Sequence, residues 1–250
     1  MPTASVIIAA GGLGRRFQAA GARAAERGPF EQHPTKAFAP LAGKPVLAHT
    51  LACFAEIPSV VEFIVAVPEG ALDWAEEHFD AAGVGGRRLK IVEGGRDRPD
   101  SVARALEVSD PGTELVAVHD AVRPLIRRAV AEEALRVAVE RGAAVVGRPV
   151  DHTVKRVAED RSVTETVHRH GLWVAQTPQV FRREIITNAY HKRDEVVGEV
   201  TDDAQLVEAL GYEVVMVLGD AVNLKITTPE DLRICEAILA AGWPFDRRTP

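Results

Sequence analysis

The chain reads as an α/β protein with a doubly wound, mostly parallel sheet. Three observations predict it. Short apolar, β-branched runs alternate with amphipathic runs of helical spacing as far as Val150. The first of these runs delivers the chain into a glycine-rich turn, AAGGLGRR over 9–16, where open α/β sheets bind their ligands. The 250 residues are 46% hydrophobic and 26% charged, the balance of an ordinary globular protein with one large core. A single domain over 1–250 is expected.

The elements follow in order. VIIAA (6–10) is predicted to be a buried strand. The segment 45–57 has helical spacing, with Pro45 suited to a first turn. A strand is expected over 62–68, a helix closing on a glycine over 72–83, and a strand over 89–95. A helix over 100–108, a strand over 115–121, a long helix over 127–141 and a strand over 143–150 continue the rhythm. It then breaks. Residues 151–174 are polar and β-branched with a turn at Glu159-Asp160, which predicts a protruding hairpin arm. Such a hairpin is marginal alone in water, so it is expected to pack on a second subunit. Helices are predicted over 182–192 and 202–211, and strands over 213–218 and 222–226. A last helix opens at Thr228 as N-cap, with Pro229 at its first position and Glu230 and Asp231 in its first turn. The insert 18–33, rich in Ala, Gly and charge, reads as a mobile loop, and no internal repeat is visible.

The formal net charge of −6 argues against a general nucleic-acid binder, which needs a basic field. Any anionic ligand has to be held by local cations and backbone amides. Two cysteines, Cys53 and Cys235, cannot build a disulfide framework and are expected in the core. The N-terminus lacks a basic region and a long apolar run, and nothing approaches ~18 consecutive apolar residues. A cytoplasmic protein with no membrane partner is the expectation.

In the turn after the first strand, Gly11, Gly12 and Gly14 let backbone N–H groups approach an anion. Arg15 and Arg16 add charge-assisted bonds. A dinucleotide fingerprint fails here, because Phe17 stands at its third glycine. A Walker loop fails too, since the sole Gly-Lys pair, Gly43-Lys44, is followed by Pro45. The form A-G-G-x-G-x-R fits Ala10 to Arg16 throughout. Lys36 in Pro34-Thr35-Lys36 is placed to fold a point charge over a triphosphate.

Further motifs stand in order: GGRDRPDSV (94–102), VHDAVRP (118–124), PVDHTVK (149–155), HRHGLWVAQTPQ (168–179), TDDAQLVE (201–208) and LKIT (224–227). With AGGLGRRF (10–17) and PTK (34–36), the chain resembles the 2-C-methyl-D-erythritol 4-phosphate cytidylyltransferase family over residues 4–240. The resemblance implies transfer of a cytidylyl group from CTP to the polyol phosphate, with release of pyrophosphate and with Mg²⁺ or another divalent cation bound along with the CTP phosphates.

By resemblance, Arg16, Lys36 and Lys225 are catalytic, with Lys225 on the strand before the last helix. Ala10, Gly11, Gly12 and Gly14 cradle the triphosphate, while Arg15 faces solvent. Gly94, Gly95, Asp97 and Ser101 line cytosine and ribose. Asp120 and Arg123 hold the alcohol hydroxyls, Thr153 and Arg169 on the arm hold the substrate phosphate, and Thr201 adds a contact. The arm crosses between the subunits of a homodimer. The chain departs from the family in the order Asp151-His152-Thr153, where Asp usually directly precedes the threonine, and in the long insert between Arg16 and Lys36.

Other readings are weaker. His119-Asp120 as half of a His-Asp phosphohydrolase lacks further matched ligands. His168 and His170 have metal-ligand spacing, yet an exposed hairpin usually leaves such histidines solvated. Asp202-Asp203 fits a helix start better than a metal pair. A ribitol 5-phosphate cytidylyltransferase and a non-catalytic nucleotide sensor remain as alternatives. A dehydrogenase is remote, because Tyr190 and Tyr212 have Asp194 and Met216 where a Tyr-x-x-x-Lys motif needs lysine.

Overall fold

The computed structural model describes residues 2–11, 35–80 and 84–244. Strand β1 (Ala4–Ala9) leads to a small hairpin of β2 (Pro40–Leu41) and β3 (Lys44–Pro45). Then come α1 (Val46–Ala55), β4 (Val60–Val67), α2 (Leu72–His78), β5 (Arg88–Glu93) and α3 (Arg98–Val108). The alternation continues through β6 (Leu115–Asp120), α4 (Arg128–Arg141) and β7 (Ala143–Pro149). The arm is β8 (Val154–Val157) with β9 (Val163–Val167). Strand β10 (Trp173–Arg182), α5 (Arg183–His191), α6 (Asp203–Ala209), β11 (Val215–Leu218) and α7 (Pro229–Ala240) follow.

The main sheet has seven strands in the order β11-β7-β10-β6-β1-β4-β5. Its neighbours are parallel except at β10, which runs antiparallel to both β6 and β7. Six strands therefore end at one edge. Side chains alternate across the sheet, as the period of two requires. Val6 and Ile8 join the cluster that holds Leu51 and Phe54 of α1, Leu135 of α4 and Cys235 of α7. Ile7 joins the opposite cluster, with Val102 of α3, Ile186 of α5 and Leu206 of α6. Helices cover both faces, so the strands are apolar on both sides and the sheet is doubly wound. No described helix is long and apolar enough to cross a membrane.

Local chemistry sets the helix starts. Asp97 caps α3 by accepting from the Asp100 N–H at 2.8 Å, with Pro99 in the first turn. Thr228 and Asp231 form a reciprocal capping box at α7, with Pro229 behind the cap as the sequence predicts.

Four expectations change. Helix α2 ends at His78, with Phe79 already extended; the predicted closing glycine at 83 lies outside the described residues. The arm span 151–174 overshoots: Trp173 and Val174 pair with Pro149 and Arg148 of β7 and belong to the main sheet. Strand β10 itself was hidden. Its middle, Gln176-Thr177-Pro178-Gln179, is polar and interrupted by proline, and the β7 register shifts between Ala175 and Gln179. Residues 222–226 form no strand. They are held by individual bonds instead: Ile226 N–H donates to the Val122 carbonyl at 2.9 Å, and Asn223 donates to Gln176 and to the Thr177 carbonyl.

Candidate active site

The carboxyl edge of the sheet gathers Ala10 and Gly11 after β1 and the loops after β5 and β6. Ala10 is buried and donates its N–H to the Ala66 carbonyl at 2.9 Å, which fixes the chain at the end of β1. Gly11, Gly94 and Gly95 surround the buried Ser101 at the start of α3. A Cβ on Gly11 would stand 3.0 Å from Ser101 Oγ, and one on Gly94 would stand 2.8 Å from it. On Gly95 it would stand 2.3 Å from Asp100 Cβ, an impossible contact. Ser101 Oγ donates to the Asp97 carbonyl at 2.8 Å and accepts from Gly95 N–H at 3.0 Å. Arg104 donates to the Gly94 carbonyl at 2.8 Å. The GGRDRPDS segment is thus a tightly folded backbone surface beside Gly11. Asp97 holds the helix start there.

At the end of β6, Asp120 is ringed by cations. Lys225 Nζ lies 3.0 Å from Oδ2, Arg123 Nε 3.2 Å from Oδ2, and Arg98 Nε 3.5 Å from Oδ1. Burial pushes the Asp120 carboxyl up, but Lys225, Arg98 and Arg123 outweigh it and hold it well below the usual carboxylate range. Arg98 also pairs with the buried Asp203 at 2.7 Å, and the Tyr190 hydroxyl donates to Asp203 at 2.5 Å. Burial opposes the charge on Arg98, yet Asp203 and Asp120 raise its pKa further above the ordinary arginine value.

The two ion pairs differ in kind. Lys225 is 41% exposed, so water screens its side of the pair with the buried Asp120. Breaking the Arg98–Asp203 pair by removing a partner costs about 3–5 kcal/mol, because a buried charge is stranded. Lys225 therefore reaches Asp120 from the solvent side, whereas Arg98 is anchored between two buried carboxylates. The carrier of Lys225 is the irregular segment 222–226, not the strand that the sequence predicted.

Thr153 and Arg169 line one cleft of about 650 Å³ at the root of the arm, with His168, His170 and Trp173 among its walls. Arg169 Nη1 donates to the Asp151 carbonyl. Asp120, Arg123, Lys225 and Ser101 do not line that cleft. Thr201 is exposed before α6 and donates through both N–H and Oγ1 to Gln205 Oε1. Lys36 is half-buried in the turn before β2, ahead of the core residue Phe38. Gly12, Gly14, Arg15 and Arg16 lie outside the described residues, as does the insert 18–33. Among the described residues no group of three or more His, Cys, Asp or Glu side chains could hold a metal ion.

Sequence reading missed Arg98, although it stands inside the quoted GGRDRPDSV motif. Its role depends on Asp203, 105 residues away, which the sequence offered only as helix-start charge. Asp202 does fill that role, accepting from Gln205 N–H at 3.0 Å as the N-cap of α6. Thr177 and Asn223 were also unassigned; both lie in segments whose course the periodicity did not show.

A doubly wound sheet, a glycine-rich sequence directly after β1 and a cation-ringed carboxylate at the sheet's carboxyl edge define the class: a nucleotidyltransferase. Comparisons with known proteins make this specific. The sequence profile of the 2-C-methyl-D-erythritol 4-phosphate cytidylyltransferases matches residues 4–241. The enzyme of that name from Alkaliphilus metalliredigens is 39% identical over 235 residues, covering 94% of this chain and 92% of the relative. That from Caldanaerobacter subterraneus is 40% identical over 204 residues, covering 82% and 90%. The crystal structure of the Thermus thermophilus enzyme superposes with a TM-score of 0.74 at 35% identity, covering 96% of this chain and 100% of the other. The chain belongs to the 2-C-methyl-D-erythritol 4-phosphate cytidylyltransferase family.

Proposed function

We propose that this chain transfers the cytidylyl group of CTP to 2-C-methyl-D-erythritol 4-phosphate. The products are 4-diphosphocytidyl-2-C-methyl-D-erythritol and pyrophosphate, and the step serves isoprenoid precursor synthesis. The family match over residues 4–241 carries this reading. The Asp120–Arg123–Lys225 cluster supports it.

A phosphate oxygen of the polyol phosphate attacks the α-phosphorus of CTP in line. The bond from that phosphorus to the bridging α–β oxygen breaks, and its electron pair leaves with pyrophosphate. A phosphate monoester with second pKa ~6 is mostly dianionic at neutral pH, so no general base is needed. The barrier is repulsion between anions, and catalysis is mostly positioning plus stabilisation of charge. Arg16, Lys36 and Lys225 are assigned that stabilisation, and Ala10, Gly11, Gly12 and Gly14 the triphosphate. Gly94, Gly95, Asp97 and Ser101 are assigned cytosine and ribose. Asp120 and Arg123 take the polyol hydroxyls, Thr153 and Arg169 its phosphate, and Thr201 a further contact.

The donor set fits a divalent cation carried by the triphosphate. Asp120 is occupied by three cations, so phosphate oxygens and water would supply most ligands of a Mg²⁺ ion. When bound, the ion would neutralise charge on the triphosphate. A homodimer is part of the proposal. The arm cleft with Thr153 and Arg169 has a lining of its own, and Val157, Val163, Trp173 and Val174 are exposed on and beside the arm. A second copy receiving the arm covers them and brings Arg169 to its Asp120. A cytoplasmic location completes the proposal.

The test is pyrophosphate release by the purified chain with CTP and Mg²⁺, comparing 2-C-methyl-D-erythritol 4-phosphate with ribitol 5-phosphate. Faster turnover of ribitol phosphate would sink the substrate assignment. CTP binding without turnover of either alcohol would favour a sensor.

A further inference from the structure

His119 lies fully buried at the end of β6, with its ring edge-on to Phe54 at 4.9 Å. Its two nitrogens each have a partner. Nε2 lies 3.1 Å from the Arg123 carbonyl, and Nδ1 lies 3.0 Å from Thr177 Oγ1. Thr177 Oγ1 also receives the Asp120 N–H at 3.1 Å.

The protons can be assigned by elimination. A carbonyl only accepts, so Nε2 carries the hydrogen and donates to Arg123. A neutral ring then leaves Nδ1 as an acceptor, and the Thr177 hydroxyl donates to it. That hydroxyl oxygen keeps a lone pair for the Asp120 N–H. Every donor in the circuit has an acceptor. It runs from the Asp120 amide through Thr177 and His119 to the Arg123 carbonyl, and the Arg123 N–H closes it by donating to the Asp120 carbonyl at 3.1 Å. Burial pushes the imidazole pKa down to about 4, partly opposed by the bond to Arg123, so the neutral form persists at working pH.

We propose that His119 is a positioning residue for the polyol pocket. Its Nε2–H tautomer closes a hydrogen-bonded ring that sets the backbone carrying Asp120 and Arg123. The inference rests on the cytidylyltransferase reading for what that pocket holds. Asn223 braces the same ring from outside. It donates to the Thr177 carbonyl at 3.0 Å, and its own carbonyl accepts from Arg123 Nη1 at 2.8 Å. The Asp120 carboxylate and the Arg123 guanidinium are thereby aimed as a unit. His119 itself touches no reacting atom.

The ring is tested first without substrate. Long-range ¹⁵N NMR of the wild-type chain, with His119 assigned by its loss in His119→Gln, should show Nδ1 unprotonated and Nε2 protonated. An Nδ1–H tautomer overturns the proposal. Kinetics come second. His119→Phe keeps an aromatic ring beside Phe54 but removes both bonds. It should raise KM for the polyol phosphate roughly 10–100-fold, the cost of misplacing binding groups by about an ångström. KM for CTP should stay within about twofold, since a purely structural loss would affect both substrates. His119→Gln, whose amide N–H can still reach the Arg123 carbonyl, should recover most of the loss. If His119→Phe does not fold, Thr177→Val breaks the same ring and should give the same one-substrate pattern. Unchanged KM for the polyol phosphate in a folded variant, or equal losses for both substrates, overturns the proposal. A wild-type chain that makes no product defeats the functional reading instead, while the tautomer spectrum still judges the ring.

Discussion

Lys225 is the side chain to which the proposed mechanism assigns most. Its ammonium is half-exposed while it pairs with the buried Asp120, so a ligand phosphate can reach it from the solvent side. Lys225→Ala should lower kcat about 10²–10³-fold, the usual loss when one stabiliser of developing charge is removed. Its melting temperature should stay close to wild type, because Arg98 and Arg123 still neutralise Asp120. A fall in stability with unchanged kcat would move Lys225 from catalysis to structure. Arg169→Ala should mainly raise KM for the polyol phosphate; a rise for CTP alone would break the arm assignment. Asp120, Arg123 and Lys225 were legible in the sequence because each stands in a short motif. Arg98 was not, because its meaning comes from Asp203 and Tyr190, brought beside it only by folding.

Among the elements, the βα alternation through β7 was readable because buried parallel strands are short apolar runs between amphipathic helices. The arm and its turn were readable from composition. Strand β10 was not, because its buried Gln176, Thr177 and Gln179, in and beside the break in register, serve polar partners. Gln179 donates to Asp202 and accepts from Ala204 N–H, and Thr177 bonds His119. Polarity inside the sheet looked like loop. The segment 222–226 failed in the opposite direction: Val222, Leu224 and Ile226 alternate like a strand, but isolated bonds to Val122, Arg123 and Thr177 hold it in place of a ladder. At the start of α3 the constraint is steric. Gly95→Ala drives a methyl into Asp100, so the loop or the helix start must shift. Weaker CTP binding should follow, measured by calorimetry, with KM for the polyol phosphate much less affected. Unaltered CTP affinity would remove the GGRDRPDS loop from the nucleotide pocket.

For the molecule as a whole, the buried charges and the buried neutral histidine predict how stability depends on pH. His119 has a folded pKa near 4 against an unfolded value of ~6.5. Between these values the unfolded chain binds a proton that the folded chain refuses, so stability falls as pH drops from ~6.5 towards 4. The full loss is about 3 kcal/mol, and it is constant below the folded value. Asp120 acts in a lower window. Its folded pKa is depressed, so its contribution is intact above the unfolded carboxylate value of ~3.9 and is lost only below it. The two windows barely overlap, and the first acid limb belongs to the histidine. Among the described histidines, His119 is the fully buried one. Urea unfolding at pH 7.5 and pH 5, compared between wild type and His119→Gln, isolates it, because every other group is common to both chains. The wild type should lose more stability between the two pH values than the variant. Equal losses would mean that the imidazole is charged in the folded state, and the ring joining Asp120 to Arg123 could not then exist as described.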